Sequence, residues 1–221
     1  MKQPLVIFGS GDIAQLAHYY FTTDSKYEVV AFTVDREYVT VTEFCGVPVV
    51  PFDEVSTRFP ADTNHLFVAL SYAKINMVRK EKYLAAKALG YTLASYVSSH
   101  ATVLNQGHIG ENCFIFEDNT IQPFVRIGNN VTLWSGNHIG HHSTIQDHVF
   151  VASHVVVSGG VTIGAQCFIG VNATLRDHIT VGDRCVVGAG VLLLADAEPD
   201  GLYIGTATER SAVPSSRVRK I

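Results

Sequence analysis

From Val97 to Leu193 every sixth residue is Val, Ile or Leu, seventeen positions in succession with no insertion. Helices repeat at about 3.6 residues and ordinary strands at 2, so neither explains this spacing. A period of six is the signature of a coil with three flat sides, in which each hexad makes one short strand and one turn. Eighteen residues close one coil, and coils stack at the inter-strand spacing of ~4.8 Å, so residues eighteen apart lie above one another. The aliphatic points inward. The position four residues later, among them Cys113, Val131, Ser143, Val155, Cys167 and Cys185, is small or β-branched, as a chain turning toward the axis requires. The expectation is a parallel β-helix over residues 97–198. Its cysteines are then core residues, and a disulfide framework or zinc ribbon is not expected, because no CxxC pair is present. Asn119 and Asn137, eighteen apart at inward positions, predict an asparagine ladder.

Residues 1–96 follow a different rule. Apolar runs at Leu5–Phe8, Tyr27–Val34, Gly46–Val50, His65–Leu70 and Tyr91–Val97 alternate with helical spacing over Asp12–Phe21 and Lys74–Leu89. Ile75, Val78, Tyr83 and Leu84 mark the expected buried face of the second helix. Strands alternating with helices predict βαβ units on a parallel sheet, a small Rossmann-like domain. The first strand ends in Gly9-Ser10-Gly11, followed by Asp12, and the second ends at Asp35. A Gly-rich turn opening a helix lets backbone N–H groups approach a diphosphate. Asp12 fits an N-cap or a ligand contact equally. Asp35 is placed to accept hydrogen bonds from a ribose or base. Some ninety residues are too few for both halves of a dinucleotide fold, so a nucleotide-sugar fits better than NAD. Tyr72 and Asn76, after the fourth strand, are candidates for sugar hydroxyls, and Arg79 or Lys80 for phosphate.

Charged residues are 16% of the chain, against roughly a quarter in ordinary domains. Much of the surface is therefore not ordinary solvated surface. The net charge of −4 gives no electrostatic reason to expect nucleic acid or an anionic membrane. No window approaches a membrane span, and the N-terminal segment lacks the features of a secretory signal, so a cytoplasmic protein is expected. The shortage of charge points to outer faces of the β-helix buried against copies of the same chain.

Ten histidines are present, four of them (His138, His141, His142, His148) within eleven residues. One use is metal binding, with His142 and His178 two coils apart on one corner, but no third histidine completes a pocket, and no metal is expected. The other is general-base catalysis, for which imidazole is suited. His142, His148, His154 and His178 share the fourth, turn position of their hexads.

The layout of Gly9-Ser10-Gly11, Asp35, the segment Val68–Asn76, the unbroken hexads and Gly136–His142 resembles the sugar acyltransferases related to PglD and NeuD, over nearly the whole chain. The resemblance implies a left-handed β-helix behind the nucleotide-sugar domain, with a C-terminal tail, residues 199–221, bordering the CoA site. It implies a homotrimer that moves an acetyl group from acetyl-CoA to the amine of a nucleotide-linked 4-amino-4,6-dideoxy sugar, for surface glycans. O-acetylation of a sialic-acid-type sugar, or a non-catalytic nucleotide-sugar scaffold, are the alternatives. Gly9, Ser10, Gly11, Asp12, Asp35, Tyr72 and Asn76 would hold the substrate. His141 matches the family's base, and His142 stands where the family often has an acid. Gly159, one coil above His141, Val171 and Ala189 on successive coils, and Gly205 would line the pantetheine path. Arg217, Arg219 and Lys220 would meet the 3′-phosphate.

Overall fold

The computed structural model describes residues 2–217; Arg219 and Lys220 lie outside the described residues. The N-terminal unit is a sheet of β1 (Gln3–Phe8), β2 (Tyr27–Val34), β3 (Glu43–Phe44), β4 (Val47–Pro51) and β5 (His65–Val68), in the order β3-β4-β2-β1-β5. Only β3 runs antiparallel to its neighbour. Helix α1 (Asp12–Thr23) follows β1, a single turn α2 (Val55–Arg58) precedes β5, and α3 (Met77–Ala88) follows it. The chain leaves β1 toward β2 on one side and returns through β5 on the other. The crevice between the carboxyl ends of β1 and β5 is thus the topological switch point, where open α/β sheets bind ligands. No strand of this sheet forms over residues 91–97. Leu93 makes one isolated bridge to Leu66, and Tyr96–Val97 already belongs to the β-helix.

From there two-residue strands repeat every six residues in three parallel sheets. Face I runs from Tyr96–Val97 through Phe114–Ile115, Thr132–Leu133, Phe150–Val151 and Phe168–Ile169 to Leu202–Tyr203. Face II contains Thr120–Ile121, His138–Ile139 and Val156–Val157, and face III Arg126–Ile127, Thr144–Ile145 and Thr162–Ile163. Pairings join residues eighteen apart, such as Leu133 to Val151, until the open end, where Val186 pairs with Leu202 and Val187 with Tyr203 at a spacing of sixteen. The second residue of each strand points inward. From Ile139 to Val187 the hexad aliphatics are fully buried, with Cys113, Cys167 and Cys185 beside them at 0% exposure. The fourth hexad position adopts left-handed φ turn after turn: His142 (60°), His148 (65°), His154 (58°) and His178 (58°) all sit there. Asn and His tolerate that region better than most L-residues, which explains what the sequence places at these turns. Asn119 and Asn137 do stack, yet they do not form a ladder with each other. Asn119 Nδ2 donates to the Phe116 and Trp134 carbonyls and Asn137 Nδ2 to Trp134 O, closing the turns from within.

The N-terminal unit lies along the β-helix, not at its end. Face I presents aromatic rings outward, Phe114, Phe150 and Phe168 on the strands and Phe116 stacked on Trp134 (4.7 Å) beside them. Tyr20, Phe21 and Phe67 pack onto Phe114. The side-chain ladder forms at the corner where face III turns into face I. The Val68 N–H donates to Asn112 Oδ1 (2.7 Å), Asn112 Nδ2 to Asn130 Oδ1 (2.8 Å), and Asn130 Nδ2 lies 2.9 Å from His148 Nδ1. Part of the missing surface charge is therefore explained within one chain, because face I is covered by the N-terminal unit.

Helix α3 seats on this corner, so its buried face is Arg79, Tyr83 and Ala86, preceded by Asn76. Ile75 and Leu84, expected inside, are 39% and 51% exposed. The reason is that α3 docks against backbone carbonyls and turn side chains, which call for donors in place of hydrocarbon.

His148 is 7% exposed, and burial pushes its imidazole down to about 4. Between pH 6.5 and 4 the unfolded chain takes up a proton that the folded chain refuses, so folding stability falls as pH drops through this window. One such group accounts for about 3 kcal/mol. His148→Asn keeps an acceptor for Asn130 and tolerates the left-handed turn. The urea midpoint of that variant, followed from pH 7 to 4, is expected to fall less steeply than that of the native protein.

Candidate active site

At the switch point lies a cleft of about 620 Å³, lined by Gly11, Asp12, Ile13, residues 69–73 and, from the β-helix, Trp134. Its floor is the turn after β1. Gly9 has φ +128°, and a Cβ there would stand 2.7 Å from the Ala69 carbonyl oxygen, so glycine is required for β1 and β5 to lie this close. Gly9 itself is buried and its N–H donates to Thr33 O (2.8 Å), so it shapes the turn and offers the cleft no donor. The N–H groups of Ser10 and Gly11 have no backbone acceptor among the described residues. They stand with the first N–H groups of α1, the free donors and positive dipole end that suit an anion. Gly11 is the N-cap and Asp12 the first helical residue, so Asp12 is not a cap; its exposed carboxylate lines the cleft.

Tyr72 is 52% exposed at the cleft wall, its ring against Phe168 (4.8 Å) and Phe150 (5.1 Å). Asn76 is not a wall residue. It is fully buried, its Nδ2 donates to Cys167 O (2.9 Å), and its Oδ1 accepts from Arg79 Nη2 (3.1 Å). Arg79 is equally unavailable to a phosphate, at 1% exposure, and burial pushes its guanidinium down to about 9. Asp35 does not line the cleft either. It faces a separate hollow bounded by Arg36, Phe52 and Asp53, and Lys82 Nζ holds it at 2.6 Å. That ion pair already occupies one of the carboxylate oxygens meant for a ribose or base.

The histidines lie elsewhere. His141 and His142 are exposed at the corner where face II turns into face III. Their Nδ1 atoms stand 3.1 Å apart, and the His142 ring rests on Phe124 (4.7 Å), eighteen residues earlier. The His141 N–H donates to Gln122 Oε1 (2.8 Å). Gly159 sits against the His141 ring one coil on: a Cβ there would fall 2.6 Å from Cε1 and 2.8 Å from Nε2. The Gly159 N–H has no backbone acceptor among the described residues. No group of three His, Cys, Asp or Glu among the described residues is arranged to hold a metal ion.

Gly159, Val171 and Ala189 do not form one line. Gly159 follows face II, while Val171 and Ala189 follow face I on the corner toward face II. Twelve residues separate Gly159 from Val171, two faces and not a full coil. Gly205 joins the latter pair, since a Cβ on it would collide with the Ala189 carbonyl oxygen. Three groups thus emerge in one chain: the cleft at the edge of face I, the Val171–Ala189–Gly205 corner, and His141 a whole face away.

The family profile described as bacterial transferase hexapeptide (six repeats) matches residues 107–141 and 124–159, and that of the hexapeptide repeat of succinyl-transferase matches residues 160–195. No curated protein matches the sequence. Among solved structures, the acetyltransferase domain of PglB from Neisseria gonorrhoeae FA1090 in complex with acetyl coenzyme A is 24% identical, with TM-score 0.82, covering 93% of this chain and 97% of that one. PerB from Caulobacter crescentus in complex with CoA and GDP-perosamine is 24% identical, with TM-score 0.81, over 91% and 94% of the two chains. WeeI from Acinetobacter baumannii AYE is 19% identical, with TM-score 0.77, over 92% and 97%. The fold is the one these solved structures have, and the hexapeptide-repeat profiles fall on its β-helix. The whole two-part architecture is shared with these structures, the N-terminal α/β unit as well as the β-helix. No helix among the described residues is long and apolar enough to cross a membrane.

Sequence reasoning found the glycine turn, Tyr72 and the His141–Gly159 stack. It missed Trp134, the β-helix wall of the cleft. The signal was available: the chain's single Trp lies eighteen residues after Phe116, in an outward row otherwise without an aromatic of that size.

Proposed function

We propose that this protein is an acetyl-CoA-dependent N-acetyltransferase acting on a nucleotide-linked amino sugar, working as a homotrimer in the cytoplasm. The observation that carries the reading is His141 with its Nδ1 against His142 and its ring against a side-chain-free Gly159, on a fold otherwise found with CoA and GDP-perosamine. The nucleotide diphosphate would lie on the Ser10–Asp12 turn, with Tyr72 and Trp134 beside the sugar. Acetyl-CoA would run along Val171, Ala189 and Gly205.

The separation of these groups supports the trimer. The outward strand positions of faces II and III are almost free of charge: Thr120, His138 and Val156 on one, Thr144 and Thr162 on the other. Leu104, Phe124 and Leu192 are more than half exposed nearby. Packing these faces around a threefold axis would bring His141 of one protomer to the cleft and CoA corner of another.

In the reaction the sugar amine attacks the thioester carbonyl. Two facing Nδ1 atoms require one donor and one acceptor. With His142 accepting, His141 carries its proton on Nδ1 and keeps the Nε2 lone pair, which takes a proton from the attacking nitrogen. The Gly159 N–H is free to donate to the oxyanion. As the intermediate collapses, the C–S bond breaks and the CoA thiolate leaves to be protonated. His142 orients the base, although a neutral imidazole stabilises the imidazolium less than a carboxylate would.

Purified protein with acetyl-CoA and a panel of GDP-, UDP- and dTDP-linked amino sugars is expected to release thiol with at least one of them. Binding of CoA without thiol release from any panel member would favour the scaffold reading. Acetylation of free sialic acids alone would replace N- with O-transfer.

A further inference from the structure

Arg79 is a buried cation that takes no part in the chemistry above. Its Nη1 donates to Asn130 O (2.6 Å) and Thr132 Oγ1 (3.0 Å), and its Nη2 to the carbonyls of His148 (3.2 Å) and Val149 (3.3 Å). None of the described ion pairs includes it. As mortar between two surfaces, an unpaired buried charge is a poor choice, since hydrocarbon of similar volume does as well. A planar fork of donors does something hydrocarbon cannot: it fixes direction and register.

What stands over that fork is the turn that enters α3. Lys74, Ile75 and Asn76 have φ of 51°, 52° and 62°, three left-handed residues in a row. For β-branched Ile75 this is an unfavourable region, and its 39% exposure shows little compensation from burial. Such a turn persists only where its surroundings over-determine it. Here they do so through Asn76, held by Cys167 O on one side and Arg79 on the other. The same turn carries Ser71 and Tyr72 into the cleft, and the Phe150 ring touched by Tyr72 also lies 5.8 Å from the Arg79 guanidinium.

We propose that Asn76 and Arg79 form a clamp that sets the left-handed 74–76 turn against the β-helix and so positions Ser71 and Tyr72 for the nucleotide-linked sugar. The second half of this statement rests on the reading of the cleft given above. Arg79 is then a positioning residue, acting through the turn and never touching the substrate.

Arg79→Lys keeps the charge and loses the fork, and Asn76→Gly removes the amide while tolerating the left-handed φ. Trypsin scission after the exposed Lys74 reads the order of the turn with no ligand present. In both variants it is expected to rise about tenfold or more, with the far-UV spectrum unchanged. KM for the nucleotide sugar should rise about tenfold, with kcat and the KM for acetyl-CoA within about twofold of native. Trp134 emission, titrated with GDP, UDP or dTDP, should respond at correspondingly higher nucleotide concentration. A folded variant with native scission at Lys74 overturns the clamp, whether or not any sugar is acetylated. Raised scission with an unchanged nucleotide-sugar KM overturns the positioning role alone. If Arg79→Lys fails to fold, Asn76→Gly carries the same comparison.

Discussion

His141→Ala is expected to lower kcat about a thousandfold, within the roughly 10²–10⁴ that a positioned general base supplies. KM for acetyl-CoA and for the nucleotide sugar should hardly move, because a base that takes the proton only as the amine attacks contributes to the transition state and not to substrate binding. Stability should hardly move either, since the side chain is exposed, its Nδ1 meets the equally exposed His142, and the bond to Gln122 comes from the backbone N–H, which the variant keeps. Steady-state kinetics with calorimetry on the same preparation separates the effects. A variant that keeps full kcat removes His141 from the reaction; one that loses binding with kcat intact makes it a contact residue.

The second large effect is expected at a residue with no side chain. Gly159→Ala places a Cβ 2.6 Å from the His141 ring. Its backbone φ lies outside the left-handed region, so the substitution meets no conformational strain. The only obstacle is the end of a flexible surface side chain, which can swing away at little cost to folding. Once it swings, the 3.1 Å contact between the two Nδ1 atoms is broken and the base leaves its position. A displacement of about 1 Å at a reacting group costs on the order of 10²-fold in rate. The expected result is a kcat about a hundredfold lower at nearly unchanged Tm. Native kcat in Gly159→Ala would mean that the observed ring position is not the reactive one.

The β-helix was legible because its rule is strictly periodic. One aliphatic per hexad fixes the register, and the eighteen-residue offset then places Gly159 on His141 by arithmetic alone. Residues that act across the two units were not legible. Arg79 sits in an Arg-Lys-Glu-Lys run that looks like solvated helix surface, and nothing local shows that four acceptors from distant turns await it. Asn76 and Asp35 were assigned by proximity to strand ends. The structure commits Asn76 to Cys167, ninety-one residues on, and Asp35 to Lys82, forty-seven residues on. Gly159 falls out of line with Val171 and Ala189 for a geometric reason: stacking depends on multiples of eighteen, and twelve moves a residue to another corner.

The lateral seating of the N-terminal unit has a consequence for how the molecule comes apart. A bare solenoid unfolds one coil at a time, because each repeat touches only its neighbours. Here Val68, Asn76 and Arg79 reach Asn112, Asn130, His148 and Cys167, one on each of four successive coils. These coils and the sheet beside them must open together, as one cooperative block with the slowest amide exchange. The coils beyond Phe168, which carry Val171, Ala189 and Gly205, have no such splint among the described residues, and exchange there should quicken toward the open end. The acyl-donor side of the proposed site would thus be its pliable half until a second protomer packs against it.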